Sequence, residues 1–341
     1  MRDKFIDVKN LTKTFERKKG IMKKTVASVK AVDDISFHIF RGETLGLVGE
    51  SGCGKTTTGR SILRAIEPTA GSIEYNFRDG SNVDIRTLQK QELRSIRHKM
   101  GLIFQDPYSS LNPRMNILNT VSEPLVIAKE TTSRKATEDL VAELLSKVGL
   151  DPMYMRRYPH AFSGGQRQRI AIARELSMNP EFIVCDEPVS ALDVSVQAQI
   201  LNLLEALQDE LGLTFLFVAH DLAVVEYISD RIAVMYVGRI MELCETEELL
   251  SNPMHPYTEA LLEAVPTGKP EDNLLDNFEL TGEVADPGNP PSGCHFHPRC
   301  KYAKDICMQE RPRLEPVKGS EEHFCACHFR DSLTLDGVSA H

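Results

Sequence analysis

The alternation of hydrophobic and polar positions predicts a strand near the start of the chain and a second strand soon after it. Ile35, Phe37 and Ile39 alternate with polar residues, which is the period-two pattern of a half-buried strand over 29–40. Residues 44–48 are almost continuously apolar and lead directly into a glycine-rich turn. A short apolar run of this kind predicts a strand that is buried on both faces.

Strand patterns and helix patterns then take turns along most of the chain. The predicted strands are 5–15, 29–40, 44–48, 102–104, 181–185, 213–219 and 231–237. The predicted helices are 55–66, 133–148, 194–211 and 221–228. This alternation predicts an α/β fold with a mainly parallel sheet that helices cover.

A helical stretch over 106–178 interrupts the alternation and is predicted to be an inserted subdomain. Within it, the helix 133–148 has a candidate N-cap and a candidate C-terminal glycine, and its apolar residues recur at four-residue spacing. The cap candidates are Ser133 and Gly149, and the apolar residues are Ala136, Leu140, Leu144 and Val148.

Changes in composition divide the chain into one large domain and a small carboxyl-terminal part. Residues 1–265 carry the strand and helix patterns, and 266–292 are rich in Pro, Gly, Asp and Asn, which predicts a linker. The range 293–330 contains a group of cysteines, and 331–341 is predicted to be a frayed polar tail. The sequence shows no internal repeat, so we expect a single catalytic core.

Charge and hydropathy narrow the class of protein. The net charge is -9, and the chain has no long block of Lys or Arg, which argues against nucleic acid as the main partner. No apolar run approaches the ~18 residues that span a bilayer, and the first residues lack the apolar core of a secretory signal. We therefore expect a soluble, cytosolic chain that reaches a membrane only through a partner.

Residues 49–56 follow the pattern G-x-x-x-x-G-K-[ST] between a strand and a helix. We call them the phosphate loop, because glycines let successive N–H groups point at phosphate oxygens and the helix start adds a positive dipole. The lysine is expected to reach the β- and γ-phosphates, and the first threonine to hold Mg²⁺. The predicted nucleotide-binding residues here are Gly49, Ser51, Gly52, Cys53, Gly54, Lys55, Thr56 and Thr57.

Polar residues at the ends of three predicted strands complete the candidate catalytic set. Asp186 and Glu187 follow an apolar strand; we expect the first to hold Mg²⁺ and the second to activate the attacking water. His220 ends another strand and is predicted to position that water, and Gln105 is predicted to link Mg²⁺ to the helical insertion. Taken alone, Asp186 and Glu187 would be interpreted as a solvated acidic pair at a strand end, and Gln105 and His220 are equally compatible with a structural role; paired with the phosphate loop, the catalytic interpretation is favoured.

A second anion-binding helix start is predicted at 162–166, Phe-Ser-Gly-Gly-Gln, where Ser163 is a candidate N-cap. Together with the phosphate loop, Gln105, 182–187, 190–193 and His220, this segment resembles the ATPase subunits of ABC transporters. Phe162 stands where that family usually has Leu.

The resemblance implies an ABC ATPase fold with an antiparallel β subdomain, a helical insertion and a dimeric assembly. In that family, residues matching Ser163, Gly165 and Gln166 close on the ATP of the partner subunit, and Asp193 lies at the subunit interface. An aromatic residue at the position of Phe15 stacks on adenine, with Val29 nearby. The catalytic residues implied are Lys55, Glu187 and His220.

The carboxyl-terminal sequence resembles the ATP-binding subunits of oligopeptide and dipeptide importers, through residues 252–258, 264–266 and 293–307. Nickel importers share much of this region. The resemblance implies two membrane permease subunits, a homologous sister ATPase that forms a heterodimer, and, indirectly, an extracellular substrate-binding protein. It places the chain at the cytoplasmic face of the cell membrane as a peripheral subunit.

Five of the eight cysteines lie close together near the carboxyl terminus, which in a reducing compartment indicates a metal before a disulfide. Their spacing is not that of a common zinc pair, and either a [4Fe–4S] cluster or zinc is compatible with it. In similar importer subunits the matching cysteines bind an iron–sulfur cluster. That implies Cys294, Cys300, Cys307 and Cys327 as ligands, with Cys325 spare.

Two other functions remain open at this point. An ABC-type ATPase that acts on nucleic acid is opposed by the acidic balance and by the absence of a coiled-coil or basic insertion. A P-loop kinase leaves the Phe-Ser-Gly-Gly-Gln segment unexplained.

Overall fold

The computed structural model describes residues 2–19, 24–130, 133–264 and 284–338. The described residues form strands β1 (Lys4–Lys19), β2 (Lys24–Phe40), β3 (Thr44–Val48), β4 (Ala70–Asn76), β5 (Asn82–Asp84), β6 (Met100–Ile103), β7 (Phe182–Asp186), β8 (Thr214–Val218), β9 (Arg231–Tyr236), β10 (Arg239–Glu245), β11 (Glu315–Pro316) and β12 (Phe324–Cys325). The helices are α1 (Lys55–Ile62), α2 (Lys90–Ile96), α3 (Pro107–Ser110), α4 (Ile117–Ala128), α5 (Arg134–Lys147), α6 (Gly164–Leu176), α7 (Val194–Leu211), α8 (Leu222–Ile228), α9 (Thr246–Ser251), α10 (Pro256–Glu263) and α11 (Asp305–Gln309).

The larger sheet has the strand order β11-β12-β10-β9-β3-β8-β7-β6. The five strands from β9 to β6 run parallel, which confirms the predicted parallel core. Every residue of β3, β7 and β8 is buried, as expected for parallel strands that helices cover on both faces. The carboxyl ends of these strands therefore meet at one edge of the sheet, where open α/β sheets bind ligands.

A second, antiparallel sheet has the order β2-β1-β4-β5. The alternation predicted for β2 is confirmed, since Ile35, Phe37 and Ile39 are buried and Ser36 is exposed. These apolar side chains share one hydrophobic cluster with residues of β3 and β8, so the smaller sheet packs against the larger one.

Helices α3 to α6 lie between β6 and β7 in the chain and contain the predicted helix 133–148. Its N-cap is confirmed, because the Ser133 hydroxyl accepts a hydrogen bond from the Ala136 N–H at 3.2 Å. The predicted apolar face was partly wrong: Ala136 is exposed, and α5 buries Val141, Leu144 and Leu145. At about 3.6 residues per turn, Ala136 lies on the opposite side of α5 from Val141 and Leu145, because a strict four-residue spacing drifts around the helix.

Several predicted element bounds also differ from the structure; for example, β1 extends to Lys19 rather than to residue 15, and β2 begins at Lys24 rather than at residue 29. Helix α1 ends at Ile62 rather than at residue 66, because Arg64 adopts a left-handed conformation with φ of 48°. Strand β6 ends at Ile103, and Phe104 is 37% exposed beyond it.

The carboxyl-terminal segment packs against the larger sheet and extends it. Strand β12 pairs antiparallel with β10, and the Ala326 N–H donates to the Met241 carbonyl at 2.7 Å. The frayed tail predicted from residue 331 is wrong for 331–338, since Leu335 is buried and the Val338 N–H donates to the Leu250 carbonyl at 2.8 Å. Most of the predicted linker, residues 266–283, lies outside the described residues.

Candidate functional site

The phosphate loop adopts backbone conformations that only glycine tolerates well. Gly49 and Gly54 have φ of 149° and 111°, in the region that disfavours L side chains. A Cβ on Gly49 would lie 2.0 Å from the Met235 carbonyl oxygen, and one on Gly54 would lie 2.1 Å from that of Ala31. The glycines are therefore required both by φ and by the close approach of neighbouring backbone.

A cavity of about 470 Å³ opens over this loop at the carboxyl edge of the parallel sheet. Lys55 begins α1, is 4% exposed, and donates to the carbonyl oxygens of Gly49 at 2.6 Å and Glu50 at 3.0 Å. A buried ammonium at a helix start is suited to binding an anion. The cavity is lined by Ala31, Ser51, Gly52, Gly54, Lys55, Thr56, Thr57, Gln105, Glu187 and His220.

Two oxygen ligands suited to Mg²⁺ lie beside this cavity. The Thr56 hydroxyl donates to Asp186 Oδ1 at 2.7 Å, and Asp186 is 2% exposed at the end of β7. Its other oxygen, Oδ2, lies 3.2 Å from Nη2 of Arg60. Hydroxyl and carboxylate oxygens in contact are the hard donors that Mg²⁺ prefers, so these residues fit the ion.

Glu187 is held in a left-handed backbone conformation with φ of 49°, which is unusual for a residue other than glycine. Its Oε2 accepts a hydrogen bond from Gln105 Nε2 at 2.7 Å and lies 3.4 Å from His220 Nδ1. Strained residues cluster at functional sites, where the surrounding structure fixes them. The structure thus brings the ends of β6, β7 and β8 together around one carboxylate.

Some predicted residues lie away from the cavity. Cys53 packs its side chain into the core at 1% exposure, and its N–H donates to the Glu50 carbonyl at 3.2 Å. Burial raises the pKa of the Cys53 thiol, so the side chain stays neutral. Phe15 is 43% exposed and pairs with Val29 across β1 and β2. Neither of these two lines the cavity, although β2 also carries the lining residue Ala31.

The predicted second anion site forms a reciprocal cap at the start of α6. The Ser163 hydroxyl accepts from the Gln166 N–H at 3.3 Å, and Gln166 Oε1 accepts from the Ser163 N–H at 3.1 Å. A Cβ on Gly165 would lie 2.4 Å from Val196 Cγ1, so this glycine permits close packing of α6 on α7. Ser163 and Asp193 are exposed and are not among the residues that line the cavity of the same chain.

Sequence reasoning did not identify three residues that surround the phosphate loop. Arg60 contacts Asp186, and its position one turn after Thr56 on α1 was a usable signal. Glu50 is bound by Tyr257 and Arg299, which are more than 200 positions away in the chain. No local pattern indicates those two contacts.

Four carboxyl-terminal cysteines line one apolar cavity, namely Cys294, Cys300, Cys307 and Cys327. Burial raises the pKa of Cys294 to about 12 and that of Cys327 to about 11, so these thiols are neutral unless a cation compensates their charge. Cys325 lies apart from this cavity and donates its thiol to the Met254 carbonyl at 3.3 Å.

Among the described residues, one group of three His, Cys, Asp or Glu side chains has its potential metal-ligand atoms all within 4.8 Å of one another. It consists of Glu242, Cys244 and His323. The Glu242 carboxylate already accepts from the Met254 N–H at 2.7 Å, from the His255 N–H at 3.0 Å, and contacts His323 Nε2 at 2.7 Å. We therefore interpret this trio as a hydrogen-bonded connection between β10 and the carboxyl-terminal segment.

The parallel sheet, the phosphate loop and the cavity at the carboxyl edge define the P-loop class of nucleotide-binding proteins. Residues 32–190 match the family described as ABC transporter, and 241–307 match the oligopeptide/dipeptide transporter, C-terminal region. The oligopeptide transport ATP-binding protein AppF of Bacillus subtilis (strain 168) is 49% identical over 325 residues, which cover 95% of this chain and 97% of AppF. This chain therefore belongs to the ABC transporter family, among its oligopeptide transport ATP-binding proteins.

Solved structures support the same fold. The dimeric post-hydrolysis state of the ATP-binding cassette MJ0796, bound to ADP and Pi, matches with a TM-score of 0.60 at 30% identity, over 71% of this chain and 98% of that one. The cbiO1 protein from Clostridium perfringens, part of the ABC transporter complex cbiONQ, matches with a TM-score of 0.60 at 27% identity, over 72% of this chain and 90% of that one. Within the described ranges, no helix has the length and apolarity to cross a bilayer.

Proposed function

We propose that this chain binds and hydrolyses ATP to energise the import of oligopeptides or dipeptides through a membrane transporter. The observation that carries the proposal is the single cavity in which Lys55, Thr56, Glu187 and His220 meet at the carboxyl edge of the parallel sheet. The resemblance to AppF over nearly the whole chain supports the peptide cargo.

The phosphate loop holds the triphosphate in this proposal. The N–H groups of Ser51, Gly52, Gly54, Thr56 and Thr57 face its oxygens, and Lys55 exchanges its contacts with the loop carbonyls for the β- and γ-phosphates. Gly49 shapes the loop, and Cys53 packs it against the core. Phe15 and Val29 contact the adenine ring.

Thr56, Asp186 and Gln105 are the proposed ligands of Mg²⁺. Gln105 gives its amide N–H to Glu187, which leaves the amide oxygen as the ligand atom. When bound, Mg²⁺ would neutralise charge on the phosphate oxygens. The Arg60 contact orients the Asp186 carboxylate beside the Thr56 hydroxyl.

Glu187 is the proposed general base, which takes a proton from the attacking water as the water oxygen bonds to the γ-phosphorus. The bond from that phosphorus to the bridging oxygen of ADP breaks, and inorganic phosphate leaves. His220 positions the water, since its Nδ1 lies 3.4 Å from the carboxylate. Gln105 binds the same carboxylate and lies just before the helical insertion in the chain. We infer that it couples changes in the cavity to movement of that insertion.

Ser163, Gly165, Gln166 and Asp193 complete the site of a partner subunit in this proposal. They lie on α6 and at the start of α7, apart from the cavity of their own chain, and Ser163 and Asp193 are exposed. A homologous sister ATPase is the proposed partner, so that each cavity is closed by the other chain.

A surface groove of about 920 Å³ between α2 and α4 is the proposed docking site for a permease subunit. Ile127 is 60% exposed there, and Arg94 and Arg97 give the opposite wall a positive charge. We infer that two permease subunits hold the ATPase pair at the cytoplasmic face of the cell membrane, and that an extracellular substrate-binding protein delivers the cargo to them.

The four cysteines Cys294, Cys300, Cys307 and Cys327 are proposed to bind a [4Fe–4S] cluster that keeps the carboxyl-terminal segment folded. A single zinc ion would need sulfurs about 4 Å apart, given a Zn–S distance near 2.3 Å. No three of these sulfurs lie mutually within 4.8 Å, so their arrangement is wider than a single zinc ion requires.

The test of this metal site is iron and sulfide analysis after anaerobic purification. The wild type and Cys325→Ser should hold about four of each per chain, and Cys307→Ser should lose them. If zinc is found without sulfide, the site binds zinc and not a cluster. If iron, sulfide and zinc are all absent, the proposed metal site is wrong.

The ATPase proposal is tested with Lys55→Ala in the chain assembled with permease and sister subunits. This variant should lose MgATP binding and peptide-stimulated phosphate release, because it removes the one buried ammonium that lines the cavity among the described residues. Unchanged binding would refute the proposed site. Stimulation by nickel or by nucleic acid, in place of peptide, would refute the proposed cargo.

A further inference from the structure

An ion pair joins the cysteine-rich segment to the phosphate loop. Arg299 Nη1 lies 2.7 Å from Glu50 Oε2, and Nη2 lies 3.1 Å from Oε1, so the guanidinium binds the carboxylate through two parallel hydrogen bonds. The side chain of Arg299 is 4% exposed and that of Glu50 is 21% exposed. Such bidentate pairs are strong and fix the geometry of both partners.

Glu50 is a residue of the phosphate loop that the carboxyl-terminal half of the chain holds in place. Its N–H donates to the Tyr257 hydroxyl at 3.0 Å, and its carbonyl accepts from Lys55 Nζ at 3.0 Å. The next residue, Ser51, lines the nucleotide cavity. A displacement of Glu50 therefore moves both the cavity wall and a contact of the phosphate-binding lysine.

We propose that Arg299 is a positioning residue for nucleotide binding, which keeps the Glu50 carboxylate turned away from the phosphates and fixes the first turn of the phosphate loop. This inference rests on the proposed role of that loop in binding ATP. Arg299 directly precedes Cys300, so the contact makes the folded state of the cysteine-rich segment a determinant of nucleotide affinity.

Electrostatics predicts that loss of the Arg299 side chain weakens the binding of MgATP. Without the guanidinium, a carboxylate without a counter-charge stands one residue from Ser51, and its charge repels the triphosphate in a partly buried site where screening is weak. The carboxylate also regains freedom to rotate into the cavity. Removing the Glu50 carboxylate as well removes the source of the repulsion. The effects of the two substitutions on the Kd of MgATP should therefore not be additive.

The experiment measures the Kd and KM of MgATP and the melting temperature in Arg299→Gln, Glu50→Gln and the double variant, all as full-length chains. Arg299→Gln should raise Kd and KM about tenfold with kcat nearly unchanged, which lies in the usual range of coupling between sites. Glu50→Gln also breaks the pair but removes the repelling charge, so its Kd should rise less than that of Arg299→Gln, and adding Arg299→Gln to it should raise Kd little further. Arg299→Lys keeps the charge but loses the second hydrogen bond. Its Kd and KM should therefore lie between those of wild type and those of Arg299→Gln.

Arg311→Gln is the matched control. Arg311 also joins the carboxyl-terminal segment to a buried carboxylate, through Nη2 and Asp33 Oδ2 at 2.9 Å, but it does not contact the phosphate loop. It should lower the melting temperature without changing Kd.

Three results would overturn the inference. They are an unchanged Kd in Arg299→Gln despite a lower melting temperature, additive effects of the Arg299 and Glu50 substitutions, and an equal rise of Kd in Arg311→Gln. Lys55→Ala, measured in parallel, separates this outcome from failure of the proposed function. If Lys55→Ala keeps its nucleotide affinity, the ATP site itself is wrong; if it loses affinity while Arg299→Gln does not, only the role of Arg299 is wrong.

Discussion

Replacing Glu187 by glutamine removes a proton acceptor from the nucleotide cavity and leaves the shape of the side chain nearly unchanged. A glutamine oxygen can still accept the hydrogen bond that Gln105 donates to Oε2 at 2.7 Å. The backbone φ of 49° places the same demand on glutamine as on glutamate, so the fold gains no new strain. The change in this variant is therefore chemical.

The size of the effect follows from the role of the carboxylate. General-base catalysis contributes about 10²–10⁴-fold, and each tenfold change corresponds to about 1.36 kcal/mol in the barrier. We expect kcat to fall about a thousandfold, or about 4 kcal/mol, because neither Gln105 nor His220 can replace the lost charge. The Kd of MgATP should stay close to wild type, since Lys55, Thr56 and Asp186 are untouched.

The assay is phosphate release in the assembled transporter, with nucleotide binding measured separately by equilibrium titration. Glu205→Gln is the control, because it makes the same chemical change at an exposed site on α7. A fall of less than about tenfold in kcat would refute the role of Glu187 as the base. A matching loss of MgATP affinity would assign the residue to nucleotide binding.

Three further substitutions test a buried ion pair, a helix cap and the protonation of a histidine. Glu43→Gln leaves the buried Arg231 guanidinium without its counter-charge at 3.1 Å, so the free energy of unfolding should fall by about 3 kcal/mol in urea titrations. Ser163→Ala removes the cap that binds the Gln166 N–H and should cost about 1 kcal/mol of stability, with a larger loss of phosphate release in the assembled pair if Ser163 contacts the partner's nucleotide. Burial, and then the charge of Arg231, lower the pKa of His38 to about 4 from its usual 6.5. The unfolded chain therefore takes up this proton between pH 6.5 and 4 while the folded chain does not, so stability should fall over that range, and less steeply in His38→Gln.

Local patterns in the sequence were sufficient to predict the strand, loop and helix around Lys55 and the convergence of Gln105, Glu187 and His220. Each of these residues lies at the end of an apolar run, and parallel strands bring such ends to one edge. Of the antiparallel strands that enlarge the sheet, β11 and β12 were missed because they have two residues each and show no periodicity, and the seven-residue strand β10 was missed as well.

Contacts between distant parts of the chain were also beyond the reach of sequence patterns. Arg299 and Glu50 are 249 positions apart, and each reads alone as an ordinary charged surface residue. Residues 331–338 looked like a polar tail because only a few of them, such as Leu335 and Val338, are apolar. Their docking depends on a surface of α9 and α10 that exists only in the folded chain.

The position of β12 against β10 has a consequence for synthesis on the ribosome. A nascent chain that has reached residue 310 contains β10 but lacks β12, which pairs with β10 at Glu242 and Leu243. An open edge of this kind can recruit strands from other chains, so premature termination should yield aggregation-prone products. The segment that carries β12 thus also protects the folded molecule from self-association.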